Sequence, residues 1–411
     1  MAAQTYPSLL TTLGNPVPLD LVNTLCDLVA IPSVNAMGRK ANADAEFGER
    51  RIGDYLENLL ARLGLPVARQ PVHPGRDNIL ARLDGRGSDE LIMFSVHQDT
   101  VPVNGMTIEP FTPRIDDGRL YGRGSCDIKG GMAAMLVAIG RLAEERPRNM
   151  PSIVLACTVN EEYGFSGAKA IRDLCLAEGD EMITRRPDAA IIAEPTDLNV
   201  VVAHKGVVRW RCHTRGRAAH ASCPEAGENA IYKMGRVLTA LERYQREVAP
   251  GLASHPRCGS STISVGMIHG GISVNIVPDR CTIEIDRRLP AGEEIETARR
   301  HLADYLQASV ESDICVEHEP PYMYGPPLSD EHNGRLACRL SDIAREVAGR
   351  SDLTGAPYST DAGFIGQAMP CVVFGPGSIA QAHTKDEWIA LDELHKAAEI
   401  YYRLGKTGLD G

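Results

Sequence analysis

His97 and Asp99 stand two residues apart in the stretch MFSVHQDTVPV, at the end of the apolar run Leu91-Ile92-Met93-Phe94-Ser95-Val96. Residues at this spacing face one side of an extended chain, so the carboxylate can bond the imidazole and fix which nitrogen faces a metal. The run itself reads as a buried strand. Further on, YGRGSCDIKGGM brings a second carboxylate, Asp127, to the opening of a helix-like run in which Gly130 and Gly131 permit close backbone approach. An H-x-D pair alone is more often a structural hydrogen bond than a metal site. The case for chemistry rests on what else collects at strand ends.

Three further strand ends carry such residues. Ile153–Val159 is followed by Asn160, Glu161 and Glu162, Asp188–Glu194 ends in Glu194-Pro195-Thr196, and His383 lies in Gln381-Ala382-His383-Thr384 beyond the apolar Cys371–Phe374. Singly, these read as a solvated turn, a strand-end acid and a surface-loop histidine. Together, His97, Asp127, Glu162, Glu194 and His383 are mixed imidazole and carboxylate ligands without cysteine, a set that suits catalytic zinc, cobalt or manganese. They exceed what one tetrahedral ion needs. With one carboxylate bridging, they serve two ions about 3.5–4 Å apart, and such a pair lowers the pKa of a bound water from about 15.7 towards about 7. A proton acceptor is also required. Glu161 and Glu162 are neighbours whose side chains point apart in extended chain. One can ligate while the other takes the water's proton and passes it to a leaving nitrogen.

The surrounding elements suit this purpose. Helices are expected from near Pro18 to before Pro32, from about Ala45 to Leu63, and over Gly130–Glu145. Strands are expected at Val67–Val72, Asn78–Leu83, Leu91–His97, Ile153–Val159 and Asp188–Glu194, with a helix from about Ser166 between the last two. This is an α/β alternation, in which sites gather outside the carboxyl ends of strands. From about His204 the order becomes β-α-β-β-α-β: Val207–His213, Asn229–Arg246, Ser261–His269, Arg280–Arg288, Glu293–Ala308 and Ile314–His318. That order is ferredoxin-like. Helices at Ser329–Gly349 and Leu391–Leu404 flank the strand Cys371–Phe374. The expected architecture is a catalytic α/β domain in two parts, residues 1–203 and 319–411, interrupted by an inserted α+β domain over 204–318.

A chain of 411 residues exceeds what one core usually supports, which agrees with two domains. The net charge of −11 argues against nucleic acid or an anionic membrane surface as partner. Eleven cysteines without a C-x-x-C pair suggest neither a zinc knuckle nor a disulfide framework. MAAQTYPSLLTTLGNPVPLD has no basic region before an apolar run, and no stretch is long enough for a membrane span. A soluble cytoplasmic protein is expected.

The segments SVHQDTVPV, GRGSCDIKGG, TVNEEYGFSGA, AEPT, RGRAAHASCPEAGENAI, GGISVNIVPD and GPGSIAQAHTKDE resemble those of the M20 metallopeptidases. That group holds acetylornithine deacetylase, succinyl-diaminopimelate desuccinylase and glutamate carboxypeptidase, and the resemblance spans nearly the whole chain. It implies a zinc-exopeptidase-like mixed sheet flanked by helices, with the ferredoxin-like domain inserted. It implies two Zn2+, with Co2+ or Mn2+ as alternatives: His97 and Glu194 on one ion, Glu162 and His383 on the other, Asp127 bridging. Asp99 would orient His97, and Glu161 would act as general base and then acid. Gln98 stands where the family often has Thr, at a position that is not a ligand. His220 would reach an active site, commonly that of the partner subunit in a homodimer formed through the inserted domain. There it would offer a fixed donor to the developing oxyanion. Arg288 would take the substrate carboxylate on its guanidinium fork, with Asn275 and the Gly377 backbone as further substrate contacts. Hinge motion near 204 and 318 would close the site.

The resemblance thus implies hydrolysis of an N-acyl bond in a small amino-acid derivative or dipeptide with a free α-carboxylate. Glu194, rather than Asp, resembles the deacylase and carboxypeptidase branches, and GPGSIAQAH is most similar to acetylornithine deacetylase. N-acetylornithine is therefore the expected substrate, with a desuccinylase or a glutamate-type carboxypeptidase as alternatives. Asp361 is a candidate partner for a substrate ammonium. A catalytically silent metabolite-binding relative is the alternative from another class; the full ligand set together with Glu161 argues against it.

Overall fold

Alternate residues of the central strands enter two different cores. Along Gly87–His97, Ile92, Phe94 and Val96 join one hydrophobic cluster, while Leu91 and Met93 join another on the opposite face. In Met150–Thr158, Ile153, Leu155 and Cys157 face the first cluster and Val154 and Ala156 the second. A strand buried on both faces has no polar side, which explains why these runs are continuously apolar.

The computed structural model describes residues 18–38, 47–177 and 179–410. The N-terminal stretch read for a leader, and the first residues of the second expected helix, lie outside the described residues. The strands form an eight-stranded mixed sheet in the order Val67–His73, Arg76–Leu83, Met150–Thr158, Gly87–His97, Ala189–Ile192, Cys371–Val373, Val200–His204, Leu353–Ala356. Gly87–His97 is parallel to both of its neighbours, and Cys371–Val373 is parallel to Ala189–Ile192. Four adjacent strands therefore open their carboxyl ends on one side. Helices Leu21–Ala30, Arg50–Arg62, Gly130–Glu145, Gly334–Ala348 and Leu391–Thr407 pack on the first core, and Ser166–Ala177 and Ala362–Ile365 on the second. A Cβ at Gly131 would lie 2.9 Å from that of Ala193, so only glycine lets Gly130–Glu145 come this close to the loop after Ala189–Ile192.

A second, antiparallel sheet runs Thr262–Gly270, Arg280–Leu289, Gly206–Arg215, Val316–His318, with Met323–Gly325 also paired to Gly206–Arg215. Helices Ala230–Arg243 and Ile295–Ser309 cover it, and Val208, Trp210, Ile283, Ile285, Leu302 and Leu306 belong to a core of its own. The spatial order of second, third, first, fourth strand is the ferredoxin-like one. The chain passes from one sheet to the other at Lys205 and returns only after Gly325, beyond the expected 318, because Met323–Gly325 still pairs with the second sheet.

The sequence reading missed Val200–His204, which merges into the apolar run that follows it, and Leu353–Ala356, a short edge strand containing glycine. It also missed a small sheet of Arg114–Asp116, Arg119–Tyr121 and Trp388–Ala390. Asp127 does not open a helix: its backbone is extended (φ −119°, ψ 85°), and the α-helix starts at Gly130. All eleven cysteines are free thiols. No helix among the described residues is long and apolar enough to cross a membrane.

Candidate metal centre

His97 is the last residue of its strand, and Glu194 lies two beyond the end of Ala189–Ile192. Glu161 and Glu162 follow Met150–Thr158, and His383 sits at φ +62° in the loop after Cys371–Val373. Asp127 reaches the same place from the loop before Gly130–Glu145. His97, Asp127 and Glu194 form one group of possible metal donors, and Asp127, Glu162 and His383 a second; within each, the donor atoms all lie within 4.8 Å of one another. Asp127 is common to both. Its Oδ1 is 3.2 Å from His97 Nε2 and its Oδ2 is 3.3 Å from His383 Nε2. Glu194 Oε1 stands 3.8 Å from His97 Nε2, and Glu162 Oε2 3.2 Å from His383 Nε2. Two ligands at bonds of 2.0–2.1 Å with a tetrahedral angle between them lie about 3.4 Å apart, so these spacings fit small divalent cations.

The charge balance also calls for cations. No lysine or arginine among the described residues pairs with Asp127, Glu162 or Glu194, and Glu162 Oε1 and Glu194 Oε1 are buried without a hydrogen-bond partner. Burial, then neighbouring carboxylates, raise Glu161 and Glu194 well above the usual carboxylate range and Glu162 to about 7. Hydrogen bonds to Asp127 and Glu162 lift His383 to about 10. Burial pulls His97 down, but its bonds to Asp127 and Asp99 together with the charges of Glu194 and Glu161 raise it well above the usual imidazole range. Without cations, carboxylates and imidazoles alike hold protons that a bound metal would displace.

The supporting contacts differ in part from expectation. His97 Nδ1 donates to the backbone carbonyl of Asp99 at 2.9 Å, while the Asp99 carboxylate is 3.7 Å away. A carbonyl only accepts, so Nδ1 carries the proton and Nε2 is left for a metal. The Asp99 carboxylate instead accepts from Asn35 Nδ2 at 2.7 Å and from the backbone N–H groups of Glu161 and Glu162, each at 3.1 Å. It fixes the glutamate turn more directly than the histidine. Asp361, weighed as a partner for a substrate ammonium, is buried with Oδ2 accepting from Thr158 Oγ1 at 2.5 Å.

The remaining predicted site residues lie outside both donor groups. His220 is exposed, with Nδ1 2.7 Å from Ser222 Oγ. The Ala221 N–H donates to the Asn275 carbonyl at 3.0 Å, so His220 and exposed Asn275 lie together at a separate two-stranded sheet of Ala219–His220 and Ile276–Val277. Arg288 is held by Asp286 through Nε at 2.6 Å and Nη2 at 3.1 Å. The Gly377 N–H donates to Glu393 Oε2 at 2.9 Å, so it is already engaged, and its carbonyl accepts from Asp197.

Glu387 was passed over in the sequence, although it closes the GPGSIAQAHTKDE segment. Fully buried, it accepts from Gly124 N, Cys126 N and Asp127 N, each at 2.9 Å, and from Arg123 Nη1 at 2.7 Å. One carboxylate thus shapes the loop that presents Asp127. Glu387→Gln, which cannot accept on both arms, is expected to cost about 1–3 kcal/mol of stability and to weaken metal binding. Urea unfolding and metal titration check both.

A pH effect follows for the metal-free protein. Folded, Glu162 and Asp361 keep their protons to about pH 7 because burial disfavours charge, whereas unfolded carboxylates lose them near about 4. Between these limits the folded state binds more protons, so stability falls as pH rises. His383, at about 10, adds a loss above its unfolded value of about 6.5. Thermal scans in chelator should show Tm declining from about pH 5 to about pH 8, and metal-loaded protein should show a flatter profile.

A mixed sheet that opens two donor groups at adjacent strand ends is the framework of a metallopeptidase, and residues 93–407 match the model of peptidase family M20/M25/M40. The chain belongs to this family and is a metal-dependent hydrolase. Among curated relatives, acetylornithine deacetylase of Edwardsiella ictaluri is 32% identical over 376 residues, covering 89% of this chain and 91% of its own. Among solved structures, aminopeptidase PepT of Bacillus cereus superposes with a TM-score of 0.72 at 23% identity, covering 95% of this chain and 98% of its own. The Bacillus subtilis YXEP protein, described as a dinuclear metal-binding peptidase of family M20, gives 0.66 at 16% identity, over 95% and 98%.

Proposed function

We propose that the chain removes the N-acyl group from a small amino-acid derivative with a free α-carboxylate, N-acetylornithine foremost, at a centre of two Zn2+ ions. The observation that carries this reading is the placement of Asp127, one carboxylate oxygen towards each donor group. The deacetylase name of the relatives supports the substrate, and the dinuclear neighbour supports the ion count. His97 and Glu194 would hold one ion, Glu162 and His383 the other, with Asp127 between; Co2+ or Mn2+ would suit the same ligands. When bound, the ions acidify water and polarise the scissile carbonyl.

The chain's own residues supply the rest. Glu161 takes the proton of the attacking water and returns it to the leaving nitrogen; its raised pKa is the direction needed by a group that must both accept and give back a proton. Asp99 positions it through the backbone N–H. Arg288 binds the substrate carboxylate. Its Nε edge is held by Asp286, which leaves the end-on fork of the guanidinium available. Asn275 and the Gly377 backbone line the same substrate, and His220 donates to the oxyanion. Residues 205–325 act as the movable lid that carries these groups.

We place exposed His220 at the centre of a partner subunit, as the family resemblance implies. The edge strand Thr262–Gly270 pairs on one side only, and Ile268, Ile272, Val274 and Tyr232 are exposed near it. An apolar open edge is a template for a second copy. Ile268→Lys combined with Val274→Asp should convert a dimer to a monomer in sedimentation velocity, with activity falling as well.

An amine-release assay over N-acetylornithine, N-succinyl-diaminopimelate and glutamyl dipeptides tests the substrate. Turnover of N-acetylornithine at least tenfold above the others is expected; its absence would remove the deacetylase reading and leave a desuccinylase or carboxypeptidase.

A further inference from the structure

The turn that carries Glu161 and Glu162 continues as Tyr163-Gly164-Phe165, and both aromatic rings meet the segment by which the chain leaves the second sheet. Tyr163 stacks on Tyr322, with ring centroids 6.3 Å apart and planes 20° apart. Phe165 packs on Phe364 at 6.3 Å, Tyr324 packs on Phe364 at 5.8 Å, and a Cβ on Gly325 would lie 2.7 Å from the Phe165 ring. The pattern is i and i+2 on both sides: Tyr163 and Phe165 from the glutamate turn, Tyr322 and Tyr324 from the return strand. Gly164 and Phe165 take positive φ (123° and 57°), so it is the turn itself that aims both rings at this segment. The chain has only 20 aromatic residues (Trp 2, Tyr 12, Phe 6), so five at one junction is a concentration that needs a cause.

Tyr322 belongs mechanically to the second sheet. Its N–H donates to the Arg209 carbonyl at 3.1 Å, and the next residue, Met323, pairs with Arg209 in the strand Gly206–Arg215. Its hydroxyl donates to Glu284 Oε2 at 2.8 Å, Arg211 Nε donates to the same carboxylate at 3.0 Å, and the Arg211 guanidinium lies 5.0 Å from the Tyr322 ring centroid. The ring is thus fixed by the second sheet and stacked on Tyr163. Tyr163 in turn is one residue from Glu162 and two from Glu161, whose backbone is tied to Asp99. An aromatic pair of this kind contributes about 0.5–1.5 kcal/mol beyond its area.

We propose that the Tyr163–Tyr322 stack is a positioning contact that sets Glu161 according to where the second sheet stands. Movement of that sheet carries Tyr322 with it and re-aims the turn. The base is then aligned for proton transfer only when the lid is in place over substrate. This rests on the reading of Glu161 as the proton acceptor, through which the stack acts.

The test compares Tyr322→Leu, Tyr322→Phe, Tyr163→Leu, the Leu–Leu double variant and Glu161→Gln. Each is assayed for metal content and for kcat and KM on N-acetylornithine, or on whichever N-acyl amino acid of the panel is cleaved fastest. Tyr322→Leu should lower kcat about tenfold with KM within about twofold and metal content unchanged, since misaligning a proton acceptor removes part of its contribution. Tyr322→Phe keeps the stack and should remain within about threefold of the parent. Tyr163→Leu should match Tyr322→Leu, and the double variant should be no slower than either. Parent-like kcat in both Leu variants, equal losses for Phe and Leu, or multiplying losses in the double would overturn the proposal. Should Tyr322→Leu fail to fold, Tyr163→Leu reports from the other side of the stack. An active Glu161→Gln would defeat the underlying reading of the base, whereas an inactive one beside a parent-like Tyr322→Leu would defeat this inference alone.

Discussion

Asp127→Ala is expected to lose hydrolysis by about 10³-fold or more, roughly 4 kcal/mol, and to retain less than one tightly held metal ion per chain after dialysis. The size of the effect follows from geometry: Asp127 is the single side chain common to both donor groups, so its removal opens each of them. It also leaves Glu162 and Glu194 facing the histidines with less to hold them, while the Glu387 clamp on the loop backbone survives because it binds N–H groups rather than the side chain. Metal analysis beside circular dichroism separates loss of ions from loss of fold. Dialysis of the parent protein against a chelator should reproduce the loss, and added Zn2+ should reverse it. Full turnover after exhaustive chelation would be incompatible with a metal-dependent reaction.

Glu161→Gln should lower kcat by about 10²–10⁴, roughly 3–5 kcal/mol, with KM and metal content near those of the parent. The amide fills the same space, and the backbone N–H that binds Asp99 is untouched. What disappears is the capacity to take and return a proton. A control at Glu162 sharpens the result, because Glu162→Gln should lose metal affinity first. If the two variants behaved alike in metal content, Glu161 would be a ligand rather than a base.

The metal centre was more legible in the sequence than its supports. His97, Glu162, Glu194 and His383 each follow an apolar strand, and strand ends of an α/β chain converge, so the pattern carries spatial information. Asp127 was legible as a candidate but not its backbone, because a carboxylate before two glycines reads as a helix start. Asn35, Glu387 and the role of Asp99 were hidden for a different reason. They act on backbone N–H groups and on neighbours far along the chain, and nothing in residue type or spacing records which amide a buried carboxylate will meet. The strand Val200–His204 escaped notice because it adjoins Gly206–Arg215 without a turn signal, although the two belong to different sheets. The aromatic junction was equally silent, since Tyr163 and Tyr322 are brought together only by the return of the chain.

The order in which the donors occur along the chain bears on biosynthesis. A growing polypeptide holds His97, Asp127 and Glu194 once residue 194 has been made, whereas the second group waits for His383. The sheet is incomplete for equally long, because Val200–His204 has first-sheet neighbours only in Leu353–Ala356 and Cys371–Val373. On the two-ion reading, hydrolytic competence therefore waits until residue 383 has been made, and a product terminated between residues 194 and 383 holds only the first donor group.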